Sequence, residues 1–344
     1  MSIALVRLWP LLLLCGCHQV LTAGQGPIDA PKETWSFVEV PGTACADGSA
    51  TGFGINPSSD GTTLAIYFQG GGACWDGDSC YGLVQTAVNV QTGYGAAQFD
   101  GEPNLTGIPL LDRGNDGNPF KGAQLAFVPY CTGDLHAGDR VAMLTEAGVT
   151  HATHFSGGHD AQLDLAALAQ TFPQVTQVWL TGSSAGGFAT LLNLDRARAA
   201  FPDARVDVID DSGPPLDVTA ARFPTQRDAW GLALPSGCAD CSQSPATWLP
   251  FIAQSHPDTR IGLLSYARDP VISAFSDASE DDFAKSLVAL LPQLAATPNQ
   301  RAFVVAGDNH VVLQNTGSTT QGVSVSEWLA REVNGTADWQ NQSP

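Results

Sequence analysis

Short, nearly unbroken apolar runs alternate along this chain with longer stretches of helical periodicity. The runs at 64–68, 125–129, 178–180, 206–209, 261–266 and 303–305 are rich in β-branched and apolar residues and predict strands. Residues 162–171, 188–201, 281–291 and 325–333 place apolar side chains at helical spacing, and Pro202 stops the second of these helices. Strands that are apolar throughout, separated by helices, predict an α/β architecture with a mostly parallel sheet covered on both faces. No internal repeat is evident. The stretch 213–257 is rich in Pro and Trp and reads as an insertion between two strands. It is either a lid over a substrate pocket or a structural excursion.

One segment of this pattern carries chemistry. Gly182-Ser183-Ser184-Ala185-Gly186 falls between the predicted strand at 178–180 and the predicted helix at 188–201. G-x-S-x-G in a strand–turn–helix setting is the nucleophile elbow of α/β-hydrolases, in which small flanking residues permit a sharp turn that exposes the serine above the sheet. Five such residues also make plain turns, so the setting is what singles out Ser184.

A nucleophilic serine needs a base, and the base needs an acid to orient it. On this fold the chain order is Ser, then Asp or Glu, then His. Of the seven histidines, only His256 and His310 follow Ser184. His256 falls in the insertion, whereas His310 lies just past the predicted strand at 303–305, where active-site groups of open α/β sheets gather. Asp269 follows the strand at 261–266 and is the expected acid. Asp210 and Asp211 are its rivals, although the adjacent Ser212-Gly213-Pro214 suggests that they bond backbone N–H groups of a turn. Gln69-Gly70-Gly71-Gly72-Ala73-Cys74-Trp75 follows the first predicted strand and offers backbone N–H groups to an oxyanion, with the N–H of Ala185 as a further donor. A phosphate cradle is excluded because no Gly-Lys-Ser/Thr follows.

Composition narrows the partners. Lys and Arg number 15 against 34 Asp and Glu, a formal net charge of −19 that argues against nucleic acid. Charged residues are only 14% of the chain, and 36 Gly with 22 Pro predict a surface of polar, uncharged loops. Arg7 and the apolar segment 8–14 read as an export signal within residues 1–17. Leu14-Cys15-Gly16-Cys17 resembles a bacterial lipobox, with Cys17 as the acylated residue that would tether the protein to a membrane; cleavage near Ala23 is the alternative. Residues 18–33 are then expected to be a tether and 34–344 a single domain, acting as a monomer outside the cytoplasm.

Beyond Cys15 and Cys17 there are six cysteines, at 45, 74, 80, 131, 238 and 241. Three disulfides are expected, and six cysteines allow fifteen pairings. Proximity suggests Cys74 with Cys80 and Cys238 with Cys241, which leaves Cys45 and Cys131. Zinc at Cys238-x-x-Cys241 would need two further ligands, and none is suitably spaced. His151, His154 and His159, with His136 and Asp160, match no zinc spacing and read as polar loop residues. His136 also follows a strand end, which makes it a candidate substrate contact. The segment 112–118 lacks the terminal Glu of a calcium loop and reads as a turn. No metal or cofactor is expected.

Several motifs taken together carry a resemblance. Gly70-Gly71-Gly72-Ala73-Cys74-Trp75 with Cys80, Val128-Pro129-Tyr130-Cys131-Thr132-Gly133-Asp134, the Ser184 elbow, Asp210-Asp211-Ser212-Gly213, Asn309-His310 and Cys45-Ala46-Asp47-Gly48-Ser49 are similar to the pectin acetylesterase/Notum family of serine carboxylester hydrolases. The resemblance spans residues 40–313. It implies an α/β-hydrolase fold, catalytic Ser184, Asp269 and His310, an oxyanion hole of Gly71, Gly72 and Ala185, and Cys74–Cys80 and Cys45–Cys131 disulfides. Trp75 is a further candidate substrate contact. Members often place a Trp in the glycine loop where this chain has Gly72-Ala73, and the resemblance does not account for Cys238 and Cys241. The expected activity is removal of acetyl groups from a polysaccharide. Deacylation of a lipid or acylated protein is the alternative among esterases, and a non-catalytic binding lipoprotein is the alternative outside them.

Overall fold

The computed structural model describes residues 20–344 apart from 25, 103, 104, 106, 233 and 236. The expected signal segment 1–17 and its Cys17 lie outside the described residues. In chain order the strands are β1 (Val20–Thr22), β2 (Ser36–Glu39), β3 (Gly52–Asn56), β4 (Thr63–Phe68), β5 (Gln124–Val128), β6 (Arg140–Glu146), β7 (Val149–Phe155), β8 (Gln177–Ser183), β9 (Arg205–Asp211), β10 (Ile261–Arg268), β11 (Gln300–Asp308) and the short pair β12 (Thr319–Thr320) and β13 (Val323–Ser324). Nine of them form one sheet in the order β1-β2-β3-β5-β4-β8-β9-β10-β11. Pairing is parallel from β5 through β11, while β3 runs antiparallel to both β2 and β5. The fold is an α/β-hydrolase-type mixed, mostly parallel sheet flanked by helices.

Alternation along each strand feeds a separate core on each face. Leu64, Ile66 and Phe68 of β4 join Val178, Leu180, Val206, Val208, Leu263 and Val304 on one side. Ala65 and Tyr67 join Trp179, Ile209, Leu264, Phe303 and Val305 on the other. Both faces are covered, which is why these strands read as unbroken apolar runs. The helix Glu280–Ala295 buries Phe283, Leu287, Leu290 and Leu294 on the first side, spaced at three to four residues, and Ser279 caps it by accepting the N–H of Asp282. The helix Val325–Asn334 covers the second side with Val325, Trp328 and Leu329.

Three expectations change. Part of the stretch expected to be a tether belongs to the sheet: β1 pairs in parallel with β2, and Ala30 is buried in the core. The single helix expected at 188–201 is two helices, Ala185–Leu192 and Leu194–Ala200, broken at Asn193. The buried Asn193 amide donates to the carbonyls of His136 and Ala189, at 2.9 and 3.0 Å, competing with a continuous helix. Finally, His151 and His154 are on strand β7 of an antiparallel β6–β7 hairpin rather than in a loop, and His151 stacks on Tyr81 with ring centroids 3.9 Å apart.

Three disulfides close Cys45–Cys131, Cys74–Cys80 and Cys238–Cys241. Cys45–Cys131 spans 86 residues and fixes the loop before β3 to the loop after β5. Among the described residues no group of three or more His, Cys, Asp or Glu is placed to hold a metal ion, and no helix is long and apolar enough to cross a membrane.

Candidate active site

The carboxyl ends of β4, β8, β9, β10 and β11 lie side by side, and each contributes to one constellation. β8 ends at Ser183, and the chain turns sharply at Ser184, whose φ of 59° and ψ of −121° fall outside the regions open to most side-chain-bearing residues. The helix Ala185–Leu192 starts immediately. That start depends on Gly186, where any side chain would run into the Phe68 carbonyl of β4. The N–H of Ser184 donates to the carbonyl of Asp211 at 2.8 Å, tying the strained turn to β9.

His310 follows β11, and its Nδ1 lies 2.7 Å from Oδ2 of Asp269. A carboxylate only accepts, so Nδ1 carries a proton, and in the neutral ring Nε2 keeps its lone pair. Nε2 is buried with no hydrogen-bond partner among the described residues, and His310 lines the same cleft as Ser184. Asp269 is fully buried at the end of β10. Its other oxygen accepts the N–H groups of Val271 and Ile272 at 3.0 and 2.9 Å, which locks the carboxylate orientation. Of the three aspartates the sequence offered, Asp269 meets the histidine. Asp210 accepts the N–H of Gly213 at 2.9 Å, and Asp211 accepts N–H groups beyond His310.

The glycine loop after β4 lies against the elbow. A side chain at Gly70 would strike the Ser183 carbonyl, and φ of 147° at Gly71 and 82° at Gly72 is open chiefly to glycine. Gly72 bridges Ala87 through the Gly71 carbonyl and the Ala73 N–H, so its own N–H is outside the bridge. Gly70, Gly71, Gly72 and Ser184 together line the cleft.

His136, the other candidate contact, lies beneath the glycine loop rather than in either cavity that reaches Ser184. It is buried, and its Nε2–H donates to the Gln69 carbonyl at 2.8 Å, just before the glycine loop. The ring meets Phe68 edge-on, with an interplanar angle of 67°, and lies tilted against Tyr130. Burial pushes its pKa down from 6.5 to about 4, with the Gln69 bond opposing. Trp75 also faces elsewhere: it lines neither cavity that reaches Ser184 and instead lies under the Arg222 guanidinium, 5.8 Å from its ring centre.

Two cavities meet at Ser184. One is small, about 60 Å³, and apolar, lined by Leu135, Phe188, Phe223, Trp230, Trp248 and Phe275 among others. Phe223, Trp230 and Trp248 come from the insertion between β9 and β10, which therefore roofs the site. Trp230 pins it by donating Nε1–H to the Cys74 carbonyl at 2.7 Å. The second is an open cleft of about 570 Å³ on the His310 side, lined also by Tyr67, Ile108, Pro109, Val271 and Gln314. Sequence reasoning offered the insertion 213–257 as a lid or an excursion without singling out its roof residues, and it missed a buried Tyr67–Ser183–Asp211 chain. For the latter, a tyrosine inside the apolar run of β4 was the available signal.

A strained serine at a strand–helix turn, on a mostly parallel sheet, beside a carboxylate-bound histidine defines a protein of the α/β-hydrolase class. Residues 34–230, more than half of the chain, match the Pectinacetylesterase family, and the chain belongs to it. It is 30% identical over 159 residues to palmitoleoyl-protein carboxylesterase NOTUM of Schmidtea mediterranea, covering 45% of this chain and 28% of that protein. With the Homo sapiens protein of the same name it shares 26% over 180 residues, 50% of this chain and 34% of the relative. Pectin acetylesterase 4 of Arabidopsis thaliana is 29% identical over 185 residues, 52% of this chain and 42% of the relative. The chain thus spans less than half the length of each of these relatives.

Proposed function

We propose that this chain is an exported serine carboxylesterase that removes short acyl groups, acetyl foremost, from a bulky alcohol such as a polysaccharide. Ser184 attacks the ester carbonyl while His310 takes its proton through Nε2, and Asp269 holds the imidazolium that forms. The N–H groups of Gly71, Gly72 and Ala185 receive the oxyanion. His310 then protonates the leaving alcohol, and water releases the acyl group by the same steps.

The observation that carries this reading is the inequality of the two cavities. A cavity of roughly 150 Å³ accommodates a benzene ring. The apolar one beside Ser184, at about 60 Å³, holds only a few heavy atoms. The cleft of about 570 Å³ has room for a sugar residue on the alcohol side. Two relatives carry names for palmitoleoyl-protein substrates, but a sixteen-carbon chain does not fit the smaller cavity. No Lys or Arg is among the described residues lining the cleft, and the net charge of −19 opposes a polyuronate, so a neutral acetylated glycan is favoured. The three disulfides support export.

Hydrolysis of p-nitrophenyl esters from acetate to palmitate, beside acetylated xylan and acetylated pectin, tests the reading. Turnover should be best at acetate to butyrate and exceed that of palmitate by at least about 10²-fold. A preference for palmitate would transfer the assignment to acyl-protein or lipid substrates. Hydrolysis of no ester would leave a binding protein on the same scaffold.

A further inference from the structure

Asp211, the last residue of β9, is fully buried and joins both halves of the constellation. Its backbone carbonyl accepts the N–H of Ser184 at 2.8 Å. Its carboxylate accepts the N–H groups of Val312 at 2.8 Å and Leu313 at 3.1 Å, immediately beyond His310. The Ser183 hydroxyl donates to the same carboxylate at 2.7 Å, and the Ser212 hydroxyl at 3.0 Å. Two further donors stand behind these hydroxyls. Tyr67 donates to Ser183 at 2.9 Å, and the N–H of Val311 donates to Ser212 at 3.2 Å. Every O–H in this chain of bonds therefore points toward Asp211, and the carboxylate is its only terminal acceptor.

The need for such an anchor is visible at Val311. Its φ of 67° is adverse for a β-branched residue and persists only where the surroundings over-determine it. The turn follows His310 directly, so whatever holds it also sets where the imidazole stands relative to Ser184. Asp269 fixes the rotation of the ring. Asp211 fixes the backbone from which the ring hangs, against the strand that carries the nucleophile.

We propose that Asp211 is a positioning residue for the reaction, holding the His310 loop and the Ser184 elbow in fixed relation through its carboxylate without touching substrate. This rests on the esterase reading above. An Asn at 211 would present an N–H₂ group where only an acceptor fits, and since each oxygen accepts one hydroxyl and one backbone N–H, two of the four donors lose their acceptor.

The test is kcat and KM for p-nitrophenyl acetate, expressed per active site labelled by a fluorophosphonate, in Asp211→Asn and in the double variant Tyr67→Phe/Ser183→Ala. A displacement of the base by about 1 Å costs on the order of 10²-fold. Asp211→Asn should therefore lose kcat to that extent per labelled site while KM changes little, and the double variant should lose roughly five- to tenfold. A merely structural role would lower the labelled fraction and leave kcat per site unchanged. If Asp211→Asn does not fold, the double variant decides, because it keeps the Val312 and Leu313 bonds. Folded variants whose kcat per site stays within about twofold of wild type would overturn the proposal. A wild-type protein that hydrolyses no ester would overturn the esterase reading, and this proposal with it.

Discussion

Asp269 and His310, 41 positions apart, are joined by a 2.7 Å hydrogen bond between a fully buried carboxylate and Nδ1 of the imidazole. The bond places a proton on Nδ1, so that in the neutral ring Nε2 is the basic nitrogen, and the ring lines the Ser184 cleft. Asp269→Asn can donate to Nδ1 and stabilise the opposite tautomer. Its kcat should fall by roughly 10³–10⁴-fold with KM little altered. Steady-state kinetics on p-nitrophenyl acetate checks this, and a loss under tenfold would remove Asp269 from the mechanism.

Phe275 offers a direct handle on acyl length. It is half-buried, lines the small apolar cavity and approaches Gly72 of the glycine loop. Phe275→Ala should enlarge the cavity and raise kcat/KM for hexanoate relative to acetate by about 10-fold or more, since a few methylenes in an apolar pocket are each worth about 1–3 kcal/mol. An unchanged acyl profile would mean that this cavity does not receive the acyl chain.

His136 makes stability depend on pH in a defined direction. Its pKa is about 4 in the folded protein because burial penalises the charged ring, against about 6.5 when unfolded. The unfolded chain therefore binds the proton first as pH falls. The stability held by neutral His136 is complete above about pH 6.5 and drains away toward pH 4, by about 3 kcal/mol in all. Buried Asp160 and Asp164, whose pKa values burial raises to about 9 and about 8, act in the opposite direction. Comparison with the non-titrating His136→Asn isolates the histidine. Urea melts should show the wild-type advantage shrinking by about that amount between pH 7 and pH 4, and parallel profiles would contradict the assignment.

The strands that carry the site were readable because both of their faces are buried, so β4, β8, β9, β10 and β11 present continuous apolar runs. β3 was not, because its sequence Gly-Phe-Gly-Ile-Asn is interrupted by glycines. Gly52 is required there since a side chain would collide with the Val38 carbonyl of the neighbouring strand. The β6–β7 hairpin was hidden by its polar His and Thr residues, although Ala147-Gly148, both at positive φ, is a two-residue hairpin turn that marks it. Chain order together with strand ends singled out Ser184, Asp269 and His310 as candidates. The surroundings of Asp210 and Asp211 were not legible because they depend on register: Asp211 stands opposite both Ser183 and Leu264 across the sheet. The surroundings of His136 were not legible for a similar reason. It follows a strand end, as active-site residues do, but positive φ at Leu135 and His136 turns the ring inward under Gln69.

Ser184 as a nucleophile activated by His310 is the proposal on which every step above depends. Peptide mapping by mass spectrometry after reaction of the folded protein with a fluorophosphonate tests it. A single phosphonylated site at Ser184 is expected, with labelling abolished in Ser184→Ala and strongly slowed in His310→Ala. No adduct on folded wild-type protein, or an adduct that survives Ser184→Ala, would contradict it.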